Sequence, residues 1–226
     1  MTFQVAMLGS DGFIMASDTK IVREAEVRSS SSSTKIFSHP KRGLVCACSG
    51  QEVSLLAKDR LFETVEDTPL DQPHMWKVLM EVAGATWRHC YGEEAVVPHI
   101  AQEKGTLLVA EFGEQGPKLW TVDIAYTPVC EEVQDKAVAG DRGNPATFIL
   151  ERYFQANSSV DDLSFLAAHT VLLAGQLNSA AIQGLEILIC KDGQLRRIGP
   201  NEQETLEHQS RELDDLIRQK LLPSRA

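Results

Sequence analysis

Thr2 follows the initiator Met1, and methionine aminopeptidase removes an initiator methionine when the next side chain is small. The matured chain is therefore expected to begin with Thr2. Its free α-amine has a reference pKa of about 7.7–8.0 and can act as a base near neutrality, where a lysine cannot. A threonine hydroxyl beside such an amine is an activatable nucleophile. A second candidate lies in Ser49-Gly50-Gln51-Glu52, which has the S-x-x-E form of a capping box. This places Gly50 at the first helical position, where backbone N–H groups are unpaired and the helix dipole adds partial positive charge. Its amide fits an oxyanion donor, a contribution often worth about 2.7–4 kcal/mol per donor in acyl transfer. The same glycine also reads as a permissive turn residue.

Other chemistry-bearing pairs carry less. His89 and Cys90 are neighbours in a helical stretch, where successive side chains point about 100° apart, so they do not form a thiol and base pair. Cys46, Cys48, Cys90, Cys130 and Cys190 show neither CxxC nor zinc-ligand spacing with the six histidines. Reduced, mostly packed thiols are expected, with no metal and no cofactor.

The first fifty residues form a more specific pattern: Thr2, then Gly9-Ser10-Asp11-Gly12-Phe13-Ile14-Met15-Ala16-Ser17-Asp18-Thr19-Lys20, then Lys35-Ile36, then Cys48-Ser49-Gly50. This pattern resembles a proteasome β subunit, over essentially residues 2 to 198. Within that group it resembles the simple bacterial subunits, including the β-proteobacterial proteasome homologue. The resemblance implies a threonine endopeptidase in which Thr2 supplies nucleophile and amine, and Lys35 and Asp18 match the family's buried lysine and aspartate. A lysine ammonium near the amine lowers the amine's pKa, and a carboxylate beside the lysine keeps it charged and oriented. It further implies a homo-oligomeric double ring, of seven subunits per ring, acting on peptides or unfolded proteins, with an ATPase unfoldase as a conceivable partner.

Two positions depart from that pattern. Asp141, in Val138-Ala139-Gly140-Asp141-Arg142-Gly143, replaces a serine that the family keeps beside the terminal amine. Its carboxylate would stabilise the ammonium form, unless Arg142 swings in to neutralise it. Asn178 stands at a usual aspartate and Ala181 at a usual serine, with Ser179 able to substitute after a small register shift. A catalytically weak ring serving as a structural or binding compartment is the alternative reading, and an amidase for small amides a third. For substrate, the family adds an extended peptide as a strand between the segment near Val22 and the turn at Gly50, with Cys48 and Glu52 lining the first specificity pocket. A carboxylate there would favour basic over acidic side chains.

The elements that must hold these residues alternate in blocks. Phe3 to Gly9 and Phe13 to Ala16 read as a hairpin about Ser10-Asp11-Gly12, and Leu44 to Cys48 as a strand. The serine run from Ser29 to Ser33 reads as a solvated loop. Val53, Leu56, Ala57, Leu61 and Val65 follow helical spacing, and a second helix starts near Pro73 with Trp76, Leu79, Met80, Ala83 and Trp87 on its apolar face. Thr106 to Phe112 with Lys118 to Ile124 form another hairpin, and a short strand ends near Gly140. Asn144-Pro145 caps a helix carrying Phe148, Ile149 and Phe154, and its partner runs from about Val160 to Leu177. Leu185 to Cys190 and Leu195 to Ile198 close a hairpin around Lys191-Asp192-Gly193. This order predicts an α+β fold, a four-layer αββα sandwich of two antiparallel sheets with helix pairs on the outer faces, which is also the N-terminal-nucleophile hydrolase fold that the resemblance implies. A domain over 2–200 is expected, with a helical extension over 201–226.

The 226 residues are 43% hydrophobic and 24% charged, ordinary values for a folded protein. The net charge of −10 is scattered rather than blocked, which argues against nucleic acid and an anionic membrane surface as partners. With no apolar stretch of membrane-spanning length and no signal core, a cytoplasmic protein is expected.

Overall fold

A computed structural model describes residues 2–21, 31–39, 41–50, 52–66, 75–92 and 105–221. Val22, Gln51 and Pro73 lie outside the described residues. The first hairpin forms as its turn chemistry dictates: β1 (Phe3–Gly9) pairs antiparallel with β2 (Gly12–Ser17), Gly9 opposite Gly12. Gly12 is forced by a close approach, since a Cβ there would lie 1.8 Å from the Cys190 carbonyl oxygen. The strands β3 (Lys20–Ile21), β4 (Ser31–Ser32), β5 (Ile36–Ser38) and β6 (Leu44–Gly50) follow. Part of the serine run thus pairs as β4 with β3, where a solvated loop was expected.

Helix α1 (Glu52–Glu66) buries Val53, Ala57, Leu61 and Val65, the stripe that its spacing predicts. Helix α2 (Met75–Tyr91) buries Leu79, Val82, Ala83 and Trp87, whereas Trp76 is 55% exposed. Strands β7 (Gly105–Gly113) and β8 (Gly116–Ile124) form the second expected hairpin. Strand β9 (Val129–Val133) carries Glu131 and Glu132 with no apolar alternation, so its sequence gives little strand signal. Next come β10 (Lys136–Gly140), α3 (Thr147–Tyr153) and α4 (Val160–Leu177). In α3 the buried apolar residue is Leu150, and Phe148 is 66% exposed. The N-cap of α3 is Ala146, with no side-chain cap, so the cap expected of Asn144 does not form; its Oδ1 instead accepts from the Ala146 N–H at 3.0 Å in the turn ahead of the helix. Ser159 and Asp162 close a capping box at the start of α4. The chain ends in β11 (Glu186–Lys191), β12 (Gln194–Arg197) and α5 (Pro200–Leu221).

Among the described residues the strands form two five-stranded antiparallel sheets, ordered β10-β1-β2-β11-β12 and β5-β6-β7-β8-β9, and a two-stranded ribbon, β3-β4. One apolar cluster joins the sheets through Phe13, Met15, Val45, Leu108 and Leu119. A second packs Phe3, Val5, Ile14 and Ile187 against Leu150, Leu163 and Val171, and a third packs Cys46, Leu107 and Val109 against Ala57, Leu61 and Trp87. Each fully buried large side chain contributes roughly 1.5–3 kcal/mol.

The expectation of a four-layer αββα sandwich flanked by helix pairs is corrected by this arrangement. Among the described residues the first sheet is accompanied by α3, α4 and α5, and α5 lies on α4 rather than on a sheet. The reason is in α5 itself: only Leu206 and Ser210 are buried along it, too narrow an apolar stripe to cover a sheet. No helix among the described residues is long and apolar enough to cross a membrane.

Candidate active site

Thr2 enters β1 between two neighbouring strands. On the β10 side its carbonyl accepts the Asp141 N–H at 2.8 Å. Gly140, with φ +84°, permits this approach: a Cβ there would stand 2.0 Å from the Thr2 carbonyl oxygen. On the β2 side, Asp18 Oδ1 accepts the Phe3 N–H at 2.8 Å, and the Asp18 N–H donates to the Phe3 carbonyl at 3.2 Å. The carboxylate is thereby locked to the backbone that carries Thr2.

Lys35 arrives from the segment before β5. Its Nζ donates to Asp18 Oδ2 at 2.7 Å and to Thr2 Oγ1 at 3.1 Å. Asp18 is fully buried and Lys35 only 7% exposed. Burial pushes the Asp18 carboxyl above its ordinary value, opposed by the Lys35 charge and by hydrogen bonds from Lys35, Phe3 and Lys20. Burial likewise pulls Lys35 down, opposed by Asp18. Of the three residues predicted to act together, Lys35 thus touches both Thr2 and Asp18.

Gly50 sits differently from the sequence expectation. It ends β6 opposite Gly105 with φ +98°, and α1 starts only at Glu52. Pairing with β7 runs through Ser49, whose hydroxyl donates to the Thr106 carbonyl at 3.4 Å, so Ser49 is a strand residue rather than a helix cap. Strand alternation sets the side that the Gly50 amide faces. The Cys48 N–H donates to the Lys35 carbonyl at 3.0 Å, and the Gly50 N–H, two residues on, faces the same edge beyond the end of β5. An amide there suits an oxyanion without help from a helix dipole.

The remaining predicted residues spread around this centre. Cys48 is 5% exposed and its Sγ donates to the Ser54 carbonyl at 3.7 Å, which puts the thiol in the core under α1. Glu52 opens α1 on an exposed position. Asp141 Oδ2 accepts from Asn144 Nδ2 at 3.2 Å, and Arg142, considered as its neutralising partner, pairs with Asp123 at 2.6 Å. Asn178 closes α4, and its carbonyl accepts from the Ala181 and Ile182 N–H groups at 3.1 and 2.9 Å. The Ser179 and Ala180 carbonyls receive Lys20 Nζ at 3.4 and 2.8 Å, which ties this loop to the chain just after Asp18.

Two residues escaped the sequence reading. Gln4, fully buried two positions after Thr2, donates from Nε2 to the Cys48 carbonyl at 2.8 Å and so links the strand that follows Thr2 to the strand of Gly50. Glu186, also buried, accepts the Lys35 N–H through Oε2 at 2.9 Å. The signal for each was a long polar residue inside an otherwise apolar strand.

Solved structures share this fold. The chain matches an Anbu (Gly-1) mutant from Hyphomicrobium sp. strain MC1 with a TM-score of 0.76 at 15% identity, covering 100% of this chain and 99% of that one. It matches Anbu (ancestral beta-subunit) from Yersinia bercovieri with a TM-score of 0.74 at 16% identity, covering 99% and 98%. A helical assembly of the Anbu complex from Pseudomonas aeruginosa matches with a TM-score of 0.72 at 18% identity, again over 99% and 98%. The fold is that of Anbu. No family model matches the chain, and neither does any curated protein. The resemblance to a bacterial proteasome β subunit of the β-proteobacterial kind is corrected accordingly, because these three solved structures that share the fold are Anbu proteins and none is named as a proteasome β subunit. The resemblance rested on a few short motifs, and such motifs do not distinguish proteins that share a fold.

Proposed function

We propose that the chain is an N-terminal-nucleophile threonine hydrolase that cleaves peptide amide bonds. The observation that carries this reading is the contact of Lys35 Nζ with both Thr2 Oγ1 and Asp18, at 3.1 and 2.7 Å. With Met1 removed, Thr2 Oγ attacks the peptide carbonyl carbon and its proton passes to the α-amine. The Gly50 N–H stabilises the tetrahedral oxyanion. Collapse breaks the C–N bond, the departing amine takes that proton, and water then hydrolyses the threonyl ester to regenerate Thr2. Lys35, charged and oriented by Asp18, favours the free-base form of the α-amine.

An extended peptide fits the edge of β6 that β5 leaves unpaired beyond Cys48, whose N–H still donates to the Lys35 carbonyl. Homo-oligomerisation belongs to this reading, supported by the helical assembly in which the Pseudomonas aeruginosa Anbu complex was solved. A second reading, a non-catalytic compartment, is favoured by the missing hydroxyls at Asp141 and Ala181. The separating experiment is hydrolysis of a peptide library by the purified protein and by Thr2→Ala, with particle size measured alongside. Cleavage lost in the variant at unchanged size supports the enzyme; no cleavage by the wild type supports the compartment.

A further inference from the structure

We infer that Glu186 and Arg197 form a positioning device that fixes the reach of Lys35 to Thr2, which makes Glu186 a positioning residue for the proposed reaction. The inference rests on the threonine-hydrolase reading above. Lys35 is gripped at two places. Its ammonium meets Asp18 at the end of β2, while its backbone N–H donates to Glu186 Oε2 at 2.9 Å. Glu186 begins β11, directly opposite Ser17, the residue before Asp18. Both anchors of the lysine therefore hang from adjacent positions on paired strands, and the distance between them is set by sheet register rather than by loop conformation.

The second carboxylate oxygen is also committed. Thr34 Oγ1 donates to Glu186 Oε1, and Arg197 forms an ion pair with the same carboxylate. Arg197 also donates to the Ile36 carbonyl at 2.7 Å and approaches Thr34 Oγ1 at 3.3 Å. Thr34, Lys35 and Ile36 are thus each held by a group on β11 or β12, before β5 pairs regularly with β6. A buried glutamate in the apolar strand Glu186–Lys191 adds no packing that a leucine would lack. Its bonds converge on one backbone segment, the one that carries the lysine. A displacement of about 1 Å at a catalytic group is enough to lose on the order of 10²-fold in rate.

The test compares wild type, Glu186→Gln and Thr34→Ala in peptide hydrolysis and in labelling of Thr2 by a peptide epoxyketone, each as a function of pH, with melting temperature recorded. Thr34 is exposed, so Thr34→Ala remains foldable if Glu186→Gln does not. The expected result for Glu186→Gln is a kcat lower by roughly 10–100-fold with KM within about twofold. Its labelling rate should require a higher pH, because a displaced Lys35 no longer depresses the α-amine. Thr34→Ala should show the same changes, smaller. If the wild type labels at Thr2 and the variants lose only melting temperature, with pH profile and kcat unmoved, the positioning role is overturned and the hydrolase reading stands. If the wild type itself fails to label at Thr2, the hydrolase reading fails and the inference falls with it.

Discussion

Asp18→Asn separates the functional value of the buried pair from its effect on stability. The asparagine keeps an oxygen for the Phe3 N–H but removes the counter-charge of Lys35. An ammonium stranded in the interior costs about 3–5 kcal/mol. Lysine can also escape by losing its proton. At pH 7, against an ordinary value of 10.5, that costs about 5 kcal/mol, which caps the loss. Asp18→Asn should therefore lose about 3–5 kcal/mol. The double variant Asp18→Asn/Lys35→Met should behave differently. The raised Asp18 carboxyl contributes stability below 3.8 that is lost as pH rises through its folded value. The lowered Lys35 contributes stability above 10.5 that is lost as pH falls through its folded value. At pH 7 both charges are held against desolvation, so removing both should leave stability unchanged or raise it by about 1–4 kcal/mol. Urea denaturation at pH 7 measures this, with Thr2 reactivity lost in every variant. A double variant as unstable as Asp18→Asn would refute the reasoning.

Other outcomes follow from single contacts. Gly140→Ala should abolish Thr2 reactivity and lower the melting temperature by several degrees, because its Cβ would meet the Thr2 carbonyl at 2.0 Å in a left-handed backbone; calorimetry and labelling check this. Asp141→Ser should move the acidic limb of kcat/KM to lower pH and raise the rate at pH 7, by removing a carboxylate that favours the ammonium form of Thr2; superimposed profiles would assign Asp141 a structural role. Burial holds the His169 imidazole below its ordinary 6.5, opposed by Asp214. A lowered histidine contributes stability above 6.5 that is lost as pH falls through its folded value, so the denaturation midpoint should drop in acid and His169→Gln should flatten that fall.

The readable parts of this sequence were those with local causes. Asp192-Gly193, at φ 49° and 78°, makes a tight turn between β11 and β12 that the residue types announce. The stripe of α1 and the start of α4 at Val160 were equally legible. Thr2, Asp18 and Lys35 could be paired only through a resemblance, because their contacts cross between strands. Where a local signal misled, a non-local one had won. Ser49 offers a cap, but seven paired positions between β6 and β7 draw it into the sheet. Gln4 and Glu186 look like interruptions of apolar strands until their partners, Cys48 and Lys35, are seen beside them.

The central claim is that Thr2, freed of Met1, is the nucleophile. Intact-mass measurement of the wild type and Thr2→Ala after exposure to a peptide epoxyketone tests it most directly, since that electrophile bonds to both the hydroxyl and the amine of an N-terminal threonine. The expected result is a wild-type mass lacking Met1 and carrying one adduct mapped to Thr2, with no adduct on Thr2→Ala. A wild type that retains Met1, or that carries no adduct or one mapped to another residue, would contradict it.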